Sequence, residues 1–165
     1  MEQIILIGPP GAGKSSVGKL LAVELGRDFV DTDHLIETKS GKKISDIFLE
    51  DGEASFREFE RDVVLSSLSE IDGVIALGGG SVLDPAVADE LSKKSSVVYL
   101  EVSISNAAPR VGFNKERPLL LGNPRQQWLA LMESRRAIYE SLAKLRVSTD
   151  NKKPKEVVAE IMDLL

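Results

Sequence analysis

The chain has 165 residues, 42% of them hydrophobic, and a net charge of −5, which suits one α/β-sized domain with a single core and, with a pI near 5.0, argues against a nucleic-acid-binding surface. Cysteine is absent, so disulfides, thiolate catalysis and cysteine-ligated metals are excluded, and no apolar run reaches membrane-spanning length. With the first strand expected within a few residues of Met1 and no targeting segment ahead of it, a cytoplasmic monomer without membrane attachment is expected.

Gln3 to Ile7 reads as a buried strand. It runs directly into Gly8-Pro-Pro-Gly-Ala-Gly-Lys14-Ser15, which completes the pattern G-x-x-x-x-G-K-[ST] and opens an amphipathic helix from Lys14 to Leu25. In that strand-loop-helix setting the glycines let backbone N–H groups turn inward around phosphates, and the helix N-terminus adds a dipole that favours anions. Lys14 supplies a mobile cation and Ser15 a hydroxyl for magnesium, so the chain is expected to bind a nucleoside triphosphate. Phe29 to Asp31, Val74 to Leu77, Val97 to Val102 and Leu145 to Ser148 are the remaining strand candidates, with helices between them. Such βαβ alternation implies a parallel sheet covered on both faces, with ligands gathered at the carboxyl ends of its strands.

The residues after those strands carry the chemistry. Asp31 and Asp33 flank Thr32; one carboxylate can approach a metal while the other faces an acceptor hydroxyl, or either can cap the helix that begins near His34. The third strand ends in Gly78-Gly79-Gly80 in place of an aspartate, which leaves Asp31 as the carboxylate on the magnesium side. The glycines either form a flexible turn or offer uncovered backbone N–H groups to a small polar ligand. A helix from Glu53 to Glu70 puts Phe56, Phe59 and Val63 on its apolar face and Arg57 beside Glu60 at i,i+3 spacing, either a solvated pair or a guanidinium held ready for a carboxylate. Pro109 is expected to break or shift the helix before Arg110. His34, the lone histidine, reads as a surface or helix-start residue, and Trp128 reads as a packing residue beside Leu131 and Met132.

In this order and at these separations, G-x-x-G-x-G-K-S, D-T-D, F-R, G-G-G, R-P-L-L and R-x-x-x-Y resemble the shikimate kinase family over Gln3 to about Leu165. Pro9-Pro10 alone is as similar to adenylate kinases, so the downstream motifs choose the acceptor. The resemblance implies a single-domain P-loop kinase, residues 1–165, with a five-stranded parallel sheet in the order 2-3-1-4-5 flanked by helices, a substrate-binding subdomain at about 32–61 and a mobile lid at about 112–123. It implies ATP and shikimate as substrates, Mg2+ as cofactor, and transfer of phosphate to the shikimate 3-hydroxyl on the route to chorismate and the aromatic amino acids. Gluconate kinase is the nearest alternative kinase, and a catalytically silent nucleotide-binding domain the alternative of another class.

Carried across by matching motif, the resemblance places Gly11, Ala12, Gly13, Lys14, Ser15 and Ser16 around the ATP phosphates, Ser15 on magnesium, and Asp31 near the metal through water. Asp33 falls at the position of the base that also meets shikimate hydroxyls. Arg57 and Arg135 match the pair that grips the substrate carboxylate, and Gly79 and Gly80 the backbone that meets the ring hydroxyls. Arg117 matches the lid arginine over the transferred phosphate, so that Lys14, Asp33 and Arg117 form the catalytic set. Arg110, Lys152 and Pro154 fall in the neighbourhood of the adenine pocket.

Overall fold

The central strand, β1 (Ile4–Ile7), is apolar on both faces and at most 1% exposed along its whole length, the pattern of a parallel strand sandwiched between helical layers. The computed structural model describes residues 2–111 and 123–165. β2 (Asp28–Asp31), β3 (Gly73–Ala76), β4 (Val97–Glu101) and β5 (Leu145–Ser148) complete one parallel sheet in the order β2-β3-β1-β4-β5, which is the order expected. Between and around them lie α1 (Lys14–Leu25), α2 (Thr32–Ser40), α3 (Ile44–Glu70), α4 (Pro85–Ser92), α5 (Ile104–Val111), α6 (Pro124–Leu142) and α7 (Pro154–Leu164), with a short 3₁₀ turn at Ser81–Leu83. Among the described residues no helix is long and apolar enough to cross a membrane.

The register decides what meets at the top of the sheet. Asp31 pairs with Ala76 and Ala76 with Leu6, so the second, third and first strands end at one level. The loops that follow them therefore open side by side. β1 is also where the chain changes direction across the sheet, and in such folds ligands collect outside the carboxyl ends at that point.

Two cores form. The larger lies on both faces of the sheet; the smaller joins Ile36, Ile44, Ile47, Phe56 and Val63 beneath α2 and α3. The α3 segment begins at Ile44, ahead of the expected start at Glu53, because Ile44 and Ile47 extend the apolar face and Glu37 accepts a hydrogen bond from the Ile44 N–H at 2.9 Å. Gly52, at φ 86° and ψ 166°, divides this segment into two helical runs, and the second of them is the predicted one. Phe56 and Val63 are buried as expected, and Phe59 packs at the edge of the same cluster.

The expected break at Pro109 does not occur: α5 continues through it to Val111. In a helix this short the ring removes a single internal N–H bond. The next residue, Arg110, fastens the helix end to Thr149, donating from Nη1 to Oγ1 and from Nη2 to the carbonyl, both at 3.0 Å.

Gly18 lets α1 lie against β2: a Cβ there would stand 2.3 Å from Cε1 of Phe29 and 3.2 Å from Cδ1 of Leu6. Gly18→Ala is expected to lower the unfolding free energy by about 1–3 kcal/mol through overpacking, in spite of alanine's better helix propensity. Urea titration would measure the loss, and Phe29→Leu in the same chain should recover part of it.

Candidate active site

Four successive carbonyls of the phosphate loop accept hydrogen bonds from side chains, two from the loop's own lysine and two from elsewhere in the chain. Lys14 Nζ donates to the carbonyls of Gly8 (2.7 Å) and Pro9 (3.0 Å), Trp128 Nε1 to Pro10 (2.9 Å), and Arg110 Nη1 to Gly11 (3.1 Å). Gly8 is demanded twice, by φ 150° and because a Cβ would lie 2.7 Å from the Leu100 carbonyl oxygen of β4. The loop ends in Gly13, the N-cap of α1, which places no side chain on the first-turn N–H groups. These groups open on a cleft of about 360 Å³ lined by Gly11, Gly13, Lys14, Ser15 and Ser16 together with Asp31, Asp33, Gly79 and Arg110. A helix N-terminus of this kind, with a lysine at the loop, is a ready anion site.

Of the two readings of the D-T-D motif, capping is the one that Asp31 fulfils within the chain. Its Oδ1 caps α2, accepting from the N–H groups of Asp33 (2.9 Å) and His34 (3.4 Å), while its Oδ2 accepts a hydrogen bond from the Ser15 hydroxyl. Thr32 points the other way. It is buried, accepts from the Gly78 N–H at 3.2 Å and donates towards the Ala76 carbonyl at 3.4 Å, so the motif is stitched to the end of β3. His34 is exposed at the start of α2, in keeping with the expectation for it.

Side chains close directly onto the glycine turn. A Cβ at Gly78 would stand 2.5 Å from Asp33 Oδ1 and 3.1 Å from Glu60 Oε2; one at Gly80 would stand 2.4 Å from Arg57 Nη1. Glycine is needed here because charged groups occupy the space that any side chain would take. Arg57 donates from Nη1 to Glu60 Oε1 at 2.8 Å, and its guanidinium lies over the Phe56 ring at 5.3 Å, so the i,i+3 pair is a fixed one and its carboxylate is buried. Arg135 is 4% exposed, with Nη1 3.5 Å from the space beside Gly79, and its buried Nε makes no hydrogen bond among the described residues. Tyr139, one turn further along α6, donates its hydroxyl to the Gly79 carbonyl at 2.6 Å and stacks on Tyr99.

Of the residues singled out from the sequence, Gly11, Gly13, Lys14, Ser15, Ser16, Asp31, Asp33, Gly79 and Arg110 line the cleft, Arg57, Gly80 and Arg135 stand at the adjoining turn, and Ala12 is buried in the core with its side chain away from the cleft lining. Lys152 and Pro154 are not among the residues lining it: Lys152 pairs with Glu160 at 2.8 Å, and Pro154 starts α7. Arg117 and all but the last residue of the expected lid lie outside the described residues; Asn123 is the N-cap of α6. Three contributors escaped the sequence reading. They are Thr32, Tyr139 and Trp128, the last of which is buried as expected but also hydrogen-bonds the loop.

Strand order and loop position together define the class: a P-loop kinase fold with its cleft at the carboxyl ends of the strands. Within that class, the chain belongs to the shikimate kinase family, whose family model matches residues 10–165. It is 53% identical to a shikimate kinase of Thermobifida fusca over 92% of this chain and 88% of that one. It is 48% identical to one of Streptomyces coelicolor over 97% and 93%. Its fold superposes with a TM-score of 0.96 on shikimate kinase from Acinetobacter baumannii in complex with shikimate, at 36% identity over 99% of this chain and 92% of the other.

The double duty of Asp31 separates stability from charge. Asp31→Asn keeps an oxygen for the α2 N-terminus and should leave stability nearly unchanged. Asp31→Ala should lower the unfolding free energy by about 0.5–2 kcal/mol, the cost of a lost N-cap, read from paired urea titrations.

Proposed function

We infer that this chain is an ATP:shikimate 3-phosphotransferase, producing shikimate 3-phosphate and ADP on the route to chorismate and the aromatic amino acids. The observation that carries the reading is the placing of Asp33, Arg57 and Arg135 around the Gly78–Gly80 turn beside the phosphate loop. That arrangement suits a small acceptor bearing both a carboxylate and ring hydroxyls. Two guanidinium groups can grip the carboxylate, and the buried Arg135 Nε has no hydrogen-bond partner among the described residues. Backbone groups of Gly79 and Gly80 meet the ring hydroxyls.

Catalysis is then mainly alignment and charge compensation, as a loose phosphoryl-transfer transition state requires. Gly11, Ala12, Gly13, Lys14, Ser15 and Ser16 surround the ATP phosphates, and Lys14 leaves its loop carbonyls for phosphate oxygens. Asp33 accepts the proton of the attacking 3-hydroxyl as its oxygen bonds to the γ-phosphorus and the bond to the ADP oxygen breaks. The hydroxyl of Ser15 and the carboxylate of Asp31 are hard oxygen donors already in contact, a set that fits magnesium, directly through Ser15 and through water at Asp31. Bound there, the ion would offset phosphate charge. From the sequence motif, Arg117 contributes a further cation over the transferred group within a lid at about 112–123. Arg110, Lys152 and Pro154 are assigned to the adenine side. We take residues 1–165 as one kinase domain with a substrate-binding subdomain at about 32–61, acting as a cytoplasmic monomer.

An assay coupled to ADP release, with shikimate, gluconate and nucleoside monophosphates offered separately, tests the acceptor: only shikimate should support turnover. Asp33→Asn should leave ATP binding nearly intact and lower kcat by about 10²–10⁴-fold; unchanged turnover at saturating shikimate would remove Asp33 from the mechanism. Arg57→Lys keeps charge but loses the planar fork, so titrations should show shikimate weakened by about 2–5 kcal/mol and ATP hardly at all.

A further inference from the structure

Trp128 Nε1 donates to the carbonyl of Pro10 at 2.9 Å across 118 residues of sequence, from a side chain only 3% exposed. Core packing accounts for its apolar rings but not for the aim of its N–H. The carbonyl it holds belongs to the peptide unit that joins Pro10 to Gly11. That unit is planar and trans, since no described peptide bond is cis, so its N–H points opposite to its C=O. Fastening the Pro10 oxygen to the core side therefore turns the Gly11 N–H away from the core, towards the cleft that Pro10 and Gly11 both line.

The sequence leaves few other devices to do this. Gly11, at φ 85°, has no Cβ to restrict its rotation, and Pro10 contributes no N–H to the loop. Arg110 holds the next carbonyl, that of Gly11, and so governs the following peptide unit instead. α6 is a firm base for the contact: Trp128, Met132, Arg135 and Tyr139 recur on one buried face, and Tyr139 is itself bonded to Gly79. A Cβ at Gly79 would meet Pro10 Cδ at 3.2 Å, so the loop and the glycine turn touch where this helix face braces both.

We propose that Trp128 is a positioning residue for the nucleotide: its indole N–H fixes the Pro10–Gly11 peptide so that the Gly11 N–H faces the triphosphate. The proposal rests on the phosphotransferase reading above. Its test is therefore a binding measurement that needs no acceptor, beside a turnover measurement on the unaltered chain that checks that reading separately.

Replacing Trp128 with 3-benzothienylalanine keeps the shape of the ring system and puts sulfur where the N–H was; Trp128→Phe is a second, encodable variant. In both, the Kd of a non-hydrolysable MgATP analogue without shikimate should rise about three- to tenfold, the scale of one neutral hydrogen bond. The Kd of shikimate measured without nucleotide and, for the benzothienyl variant, the Tm should stay at their original values. An unaltered nucleotide Kd in the benzothienyl variant would overturn the proposal. So would nucleotide and shikimate affinities falling together with Tm, which marks a packing role.

Discussion

Parallel register is the constraint from which the site follows. Because Asp31, Ala76 and Leu6 lie at one level, the chain leaves three neighbouring strands in the same plane. A phosphate loop, an acidic motif and a glycine turn are thereby set side by side. A slip of one residue in β2 would reverse the faces of Asp31, Thr32 and Asp33. Thr32 would then lose its bonds at Ala76 and Gly78, and Asp31 its contact with Ser15. What opposes that slip is Phe29 of β2, which packs against the large core beside Gly18 and would leave it for the opposite face.

On this frame the charged groups are arranged to hold one another. Glu60, buried, holds Arg57 at the glycine turn; Asp31 is held by the α2 N-terminus on one oxygen and by Ser15 on the other. Such pairs are costly to bury and costly to break singly. Their value here is geometric, since a transferring phosphoryl group offers little covalent chemistry to assist and much charge to align.

The fold and the loop were legible in the sequence because their signals are local. Unbroken apolar strands, a glycine-lysine-serine loop and a helix period all fall within about ten residues of one another. The capping role of Asp31 and its contact with Ser15 could not be told apart in advance, because a carboxylate has two oxygens and only the fold shows that one caps α2 while the other meets Ser15. The glycine triplet was read either as a flexible turn or as backbone opened to a ligand; its tight packing against Asp33, Glu60 and Arg57 depends on α2 and α3 coming back over β3, which no spacing discloses. Trp128 shows the same limit. Its burial followed from helical periodicity, whereas its hydrogen bond depends on where α6 crosses the far end of the chain.

The close approach of Arg57 to Gly80 ties the residue allowed at one position to the side chain at another. A methyl group on residue 80 would strike the end of a flexible side chain at 2.4 Å, not the rigid backbone of a neighbour. To make room the guanidinium would have to swing aside and give up its bond to the buried carboxylate of Glu60. Substitutions at 57 and 80 are in this sense epistatic: the room for a side chain at 80 depends on which side chain stands at 57.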